Sequence, residues 1–179
     1  MTEILTQLFD ETAEIFFVNE IQNILDDVAE RNLCGRLAIH ITSKLTEYKI
    51  NGYYADPEYN RKQGGQVKTI LDDEFHIISI QSDLIIHSRG QILERDNLIA
   101  IEMKKSTRPD SEKVSDRLRL RAMTKVSYNG VWSFDGVTHP EHVCGYIIGI
   151  YMIINLFNRN CVLEYYQNGI KVSERVHSF

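Results

Sequence analysis

The sequence predicts an α/β protein: a mixed central β-sheet flanked by helices, with extra helices at the N-terminus. Three observations predict it. From Thr2 to about Tyr48, apolar side chains recur near the helical period. The middle of the chain carries short Ile- and Leu-rich runs bounded by turn residues. The resulting order is helices, three strands, a helix, a strand and a terminal hairpin, which suits layered α/β packing.

The N-terminal helices come first. Leu5, Leu8, Phe9, Ala13, Phe16 and Phe17 make one stripe, which Ile21, Ile24, Leu25 and Val28 continue. A further helix from near Arg31 aligns Leu33, Leu37, Ile41 and Leu45. Asn51-Gly52 closes the helical part. Tyr53 to Tyr59 reads as a strand that Pro57 interrupts, so pairing is expected from Glu58 onward. Arg61 to Glu74 is polar, contains Gly64-Gly65 and reads as a loop. Phe75 to His87 is extended. Ser111 to Val126 reads as a helix, with Ser111 as its N-cap. Ser127 to Glu141 is a loop, and the apolar run from Val143 is a buried strand. Val162–Gln167 and Ile170–Arg175 flank Asn168-Gly169, a strong hairpin signal.

At 179 residues the chain fits a single domain spanning 1–179. Its 43% apolar and 25% charged residues are ordinary for a globular protein. A net charge of −5 argues against a protein that coats nucleic acid indiscriminately, and leaves room for a local basic patch. Cys34, Cys144 and Cys161 are odd in number and form no CxxC, which suits free thiols and a cytoplasmic location. The N-terminus lacks the basic region of a signal peptide. The longest apolar run, VCGYIIGIYMIINLF, has 15 residues. A membrane span needs about 20, so no membrane partner is expected.

The stretch SDLIIHSRGQILERDNLIAIEMKKS, from Ser82 to Ser106, reads as a strand hairpin: Asp83–His87, a polar loop with Gly90, then Leu98–Lys104. Alternation puts Glu102 and Lys104 on one face, with Ile99, Ile101 and Met103 on the other. A carboxylate and an ammonium at the end of a buried strand are costly to desolvate. Such groups are retained for a partner or for chemistry. Taken alone, they fit an ordinary ion pair on an edge strand, with Asp83 as a turn residue, equally well.

The hairpin resembles the PD-(D/E)XK nuclease superfamily, of restriction-endonuclease-like fold. An acidic residue on one strand, here Asp83 preceded by Ser82 rather than Pro, is followed by Glu102-Met103-Lys104 on the next. ERNLCGRLAIHITSKL, from Glu30 to Leu45, is similar to the first core helix of many bacterial members. ADPEYNR, from Ala55 to Arg61, is similar to their first core strand. The resemblance runs from about Glu30 to Ser106, more loosely to Asn155. It implies a nuclease dependent on Mg²⁺ or Mn²⁺, acting on nucleic acid, with DNA the expected substrate. Asp83 and Glu102 would be metal ligands, with the Met103 carbonyl a third. Lys104 would orient the attacking water or steady phosphate charge, and Glu30 would serve a second metal or its water. A divalent cation suits this task because it neutralises developing charge and lowers the pKa of a bound water. Two carboxylates suffice to hold Mg²⁺, which keeps several waters. Many relatives dimerise, so a homodimer or a recruiting protein partner is a further expectation. The alternative is a catalytically inactive module of the same fold that binds nucleic acid or a protein. A different hydrolase on the same hairpin is a third possibility.

Between Lys104 and Lys125 eight residues are basic and three, Asp110, Glu112 and Asp116, are acidic. That segment carries +5 and the rest of the chain −10. Lys113, Arg117, Arg121 and Lys125 recur every four residues on one helical face. Such a face can grip phosphates, or it can be a solvated surface. Glu58 reads as either a neighbour of the acidic cluster or a solvated residue. His139, Glu141 and His142 lie in one loop and His40 on a helix, too few for zinc. Trp132 and Phe134 read as loop anchors, with base stacking the alternative.

Overall fold

The fold comes from a computed structural model, described for residues 1–58, 69–71, 77–79, 82–126 and 145–179. The chain opens with α1 (Thr2–Asn19), α2 (Ile21–Leu25) and α3 (Glu30–Glu47). Next come β1 (Tyr54–Pro57), β2 (Thr69–Leu71), β3 (Ile77–Ser79), β4 (Leu84–His87) and β5 (Asn97–Lys105). After α4 (Asp110–Thr124) the chain forms β6 (Ile148–Asn155), β7 (Asn160–Gln167) and β8 (Ile170–Ser178). Six strands form one mixed sheet in the order β1-β4-β5-β6-β7-β8. Its β5 and β6 are parallel, and its other neighbours are antiparallel. Parallel neighbours need a long crossover, and α4 lies in it.

The sheet has a core on each face. Toward α1 and α3 it presents Leu84, Ile86, Ile99, Ile101, Met103, Ile150 and Met152, which meet Leu5, Phe9, Phe16, Leu37 and Ile41. Toward α4 it presents Ile85, Ala100, Tyr151 and Tyr166, which meet Leu120 and Met123. Strands buried on both faces read as continuous Ile runs, and β4 is buried throughout. Arg117 and Glu164, and Arg121 and the Gly169 carbonyl, tie α4 to the β7–β8 hairpin. That hairpin turns on Asn168 (φ 51°) and Gly169 (φ 80°). Two successive positive φ values define the type I′ turn that Asn-Gly favours.

Several boundaries depart from the sequence reading. Pairing of β1 starts at Tyr54 and runs through Pro57 instead of starting at Glu58, with Tyr54 opposite His87 and Pro57 opposite Leu84. Glu58 donates its N–H to the Asp83 carbonyl, so Pro57, one residue earlier, turns its nitrogen to the open edge. A proline on an edge strand therefore forfeits no ladder bond. Glu58 itself has φ 49° and leaves the strand. Within the expected Arg61–Glu74 loop, Thr69–Leu71 pairs with Ile77–Ser79 as a separate two-stranded ladder. Helix α4 starts at Asp110 behind Pro109, with no side-chain cap, so Ser111 is not its N-cap. The strand expected from Val143 begins at Ile148. Residues 59–68, 72–76, 80–81 and 127–144 lie outside the described residues, and with them Trp132, Phe134, His139, Glu141, His142 and Cys144.

Candidate active site

The hairpin supplies the site's floor. One step beyond the Leu84–Ile101 pair, Asp83 stands across from Glu102. The Met103 N–H donates to Asp83 Oδ2 at 2.8 Å, which fixes the carboxylate over β5. Alternation sends Glu102 and Lys104 to the α4 face, while Met103 joins the core beneath α3. Glu102 is 1% exposed. Its Oε1 accepts from Arg119 Nε at 2.9 Å and from Ser82 Oγ at 3.3 Å.

Lys104 is 14% exposed, with Nζ 3.5 Å from Asp116 Oδ2 and 4.0 Å from Glu30 Oε2. Glu30 comes from the opposite layer. It opens α3 and accepts the Lys105 N–H at 2.8 Å, so it caps the end of β5. Arg108 Nε stands 3.9 Å from Glu30 at the rim. All four residues singled out from the sequence, Asp83, Glu102, Lys104 and Glu30, thus gather at one end of β5.

Two further members come from α4. Asp116 is buried and takes Arg119 Nη2 on Oδ1 at 2.5 Å, while Tyr151 Oη lies 3.5 Å from Oδ2. Arg119 thereby bridges Glu102 and Asp116. Neither residue was assigned a role from the sequence. A signal was present, because Asp116 keeps helical spacing with Leu120 and Met123 on the buried face of α4. A carboxylate at a core position needs a partner.

Burial pushes the pKa of Glu102 well up; Arg119 opposes this, while Asp83 and Asp116 add to it. Burial also raises Asp83, opposed by the Met103 N–H and by Lys104. Burial disfavours the charged form of Lys104, but Asp116, Asp83, Glu30 and Glu102 outweigh it, and its pKa rises.

The basic residues of α4 are engaged within the protein. Arg117 makes two 2.9 Å hydrogen bonds to Glu164. Arg121 Nε donates to the Gly169 carbonyl at 3.0 Å. Lys113 Nζ donates to the Ser106 carbonyl at 2.7 Å and lies 3.1 Å from Asp110. The stem of Lys125 runs beside Gly169. Arg117, Arg121 and Lys125 therefore border the β7–β8 hairpin, some way round the helix from Asp116 and Arg119, while Lys113 meets the segment before α4. Elsewhere Glu58 pairs with the exposed Arg31 at 2.9 Å, and His40 lies 3.2 Å from the buried Glu20. Cys34 and Cys161 are buried free thiols, and burial raises both pKa values.

Among the described residues, no three His, Cys, Asp or Glu side chains are arranged to hold a metal ion. The donor chemistry of the cluster nevertheless fits a hard divalent cation. Asp83, Glu102, Asp116 and Glu30 offer carboxylate oxygens only, the kind Mg²⁺ and Mn²⁺ take. Lys104 stands within ion-pair distance of Asp116 and Glu30, and Arg119 within that of Glu102 and Asp116. Among the described residues no helix is long and apolar enough to cross a membrane. No family model matches the chain, and neither a curated protein nor a solved structure matches it. The fold itself defines the class: an α/β protein with a six-stranded mixed sheet between helices.

Proposed function

We propose that the chain is a metal-dependent nuclease of restriction-endonuclease-like fold that hydrolyses phosphodiester bonds, with DNA as the favoured substrate. One observation carries this reading. Asp83 and Glu102 face each other across two paired strands, both driven toward the neutral form by burial, with Lys104 on the same face. A buried carboxylate pair beside a lysine is a costly structural choice, and its oxygens suit a hard cation. The element order of helix, strands, helix and strand supports the fold assignment.

Asp83 and Glu102 would hold Mg²⁺ or Mn²⁺, which when bound would neutralise phosphate charge and acidify a water. Lys104 keeps its proton among four carboxylates, so it would serve as a fixed positive group for a phosphate oxygen or an attacking water. Glu30 holds the end of β5 through the Lys105 N–H and fixes where Lys104 emerges. Arg108, half-exposed at the rim, would meet a flanking phosphate.

The test is cleavage of plasmid, linear and single-stranded DNA with Mg²⁺ or Mn²⁺. Glu102→Ala and Lys104→Ala should each reduce the rate by at least ~100-fold, the scale of losing one preorganised charged group. Activity unchanged in both variants would remove the site assignment. Arg119 favours a second reading, an inactive module of the same fold, because it already neutralises Glu102 from within. Nucleic-acid binding without cleavage, insensitive to Glu102→Ala, would establish that alternative.

A further inference from the structure

We propose that Arg119 is an exchangeable counter-ion that occupies the cation's place on Glu102, and that Asp116 is the positioning residue that receives it. The proposal rests on the metal-site reading above and concerns how that site changes on loading.

The geometry favours exchange over a permanent pair. Arg119 reaches Glu102 through Nε at 2.9 Å and Asp116 through Nη2 at 2.5 Å. Its planar fork thus has two anchors on separate nitrogens. Surrendering Glu102 to a divalent cation leaves the Asp116 contact in place, so the displaced guanidinium is not stranded without a partner. Asp116 has a second oxygen for this purpose. Oδ2 faces Lys104 Nζ at 3.5 Å and Tyr151 Oη at 3.5 Å, while Oδ1 carries Arg119. One carboxylate therefore holds both positive groups of the site, each on its own oxygen.

The surroundings restrict where Arg119 can go. Tyr151 lies on β6 opposite Glu102, and belongs to the apolar cluster that Leu120 and Met123 of α4 share. The side chain is mostly buried, so it does not swing freely into water. Among the described residues its polar retreat is Asp116. Competition follows from charge: a guanidinium and a divalent cation cannot both sit within contact distance of one Glu102 oxygen without strong repulsion.

The experiment measures Mn²⁺ binding by calorimetry to the full chain and to Arg119→Met, Arg119→Lys and Glu102→Gln, with melting temperatures read with and without Mn²⁺. Arg119→Met should bind Mn²⁺ at least ~10-fold more tightly than the wild type and gain more thermal stability from it. Arg119→Lys keeps the charge but cannot bridge both carboxylates, so it should fall between the two and serves if the Met variant fails to fold. Equal or weaker Mn²⁺ binding in a folded Arg119 variant, with Glu102→Gln abolishing it, overturns the exchange while leaving the metal site intact. Mn²⁺ binding indifferent to Glu102→Gln, or absent throughout, overturns both.

Discussion

Replacing Glu164 by Gln removes a negative charge from the seam between α4 and the terminal hairpin while keeping the side chain's shape. Glu164 is buried and accepts two 2.9 Å hydrogen bonds from Arg117 and one of 2.6 Å from Tyr166 Oη, with Lys171 Nζ 3.2 Å away. Burial alone would raise its pKa, yet hydrogen bonds from Arg117, Tyr166 and Lys171 bring it from 4.5 down to about 2. Such a carboxylate contributes about 3 kcal/mol at neutral pH. Arg117 is 34% exposed and regains water in the variant, so a loss of about 2–3 kcal/mol is expected. That corresponds to a fall in Tm of about 5–10 °C for a chain of this size.

The sign of the pH dependence follows from the depressed pKa. The contribution is complete above 4.5 and disappears as the pH falls through about 2. Urea titrations at pH 7 and pH 3 measure the gap between wild type and Glu164→Gln, which should shrink to roughly half at pH 3. A gap under about 0.5 kcal/mol at pH 7, or one that does not change with pH, would refute the reasoning. The same substitution releases Arg117 from its internal partner. If the basic face of α4 grips phosphates, DNA affinity at low salt should rise rather than fall.

Other outcomes are as definite. Burial raises Glu102, so its ionisation draws on stability as the pH climbs above the ordinary 4.5; Glu102→Gln should therefore gain Tm relative to wild type from pH 5 to pH 8. A gap that narrows over that range would contradict the assignment. Gly149→Ala would place a Cβ 2.9 Å from Thr124 Cγ2 and 3.3 Å from Leu120 Cδ2 and Tyr166 Cβ. Close packing of α4 on β6 leaves no room for it, and a loss of about 1–3 kcal/mol in urea unfolding is expected. Wild-type stability in that variant would mean that α4 sits less tightly on the sheet.

Much of the fold was readable because its signals are local. The stripe from Leu5 to Phe17, the Ile runs of β4 and β5, and Asn168-Gly169 each declare a backbone geometry within a few residues. Pro57 misled because a proline's effect depends on which side of its strand is paired, and only the sheet order makes β1 an edge. The basic stripe on α4 was visible as a pattern. Its engagement with Glu164 and Gly169 was not, since those residues lie 47 and 48 positions downstream.

The sequence by itself determined that this is a layered α/β chain whose Glu102 and Lys104 share one face of a strand, because a two-residue period admits no other outcome. Tertiary structure alone decided that Asp83 faces Glu102, that Glu30 arrives from the opposite layer, and that Asp116 and Arg119 complete the cluster. Strand register and helix docking join residues far apart in the chain, and no local pattern specifies which distant charge will meet which.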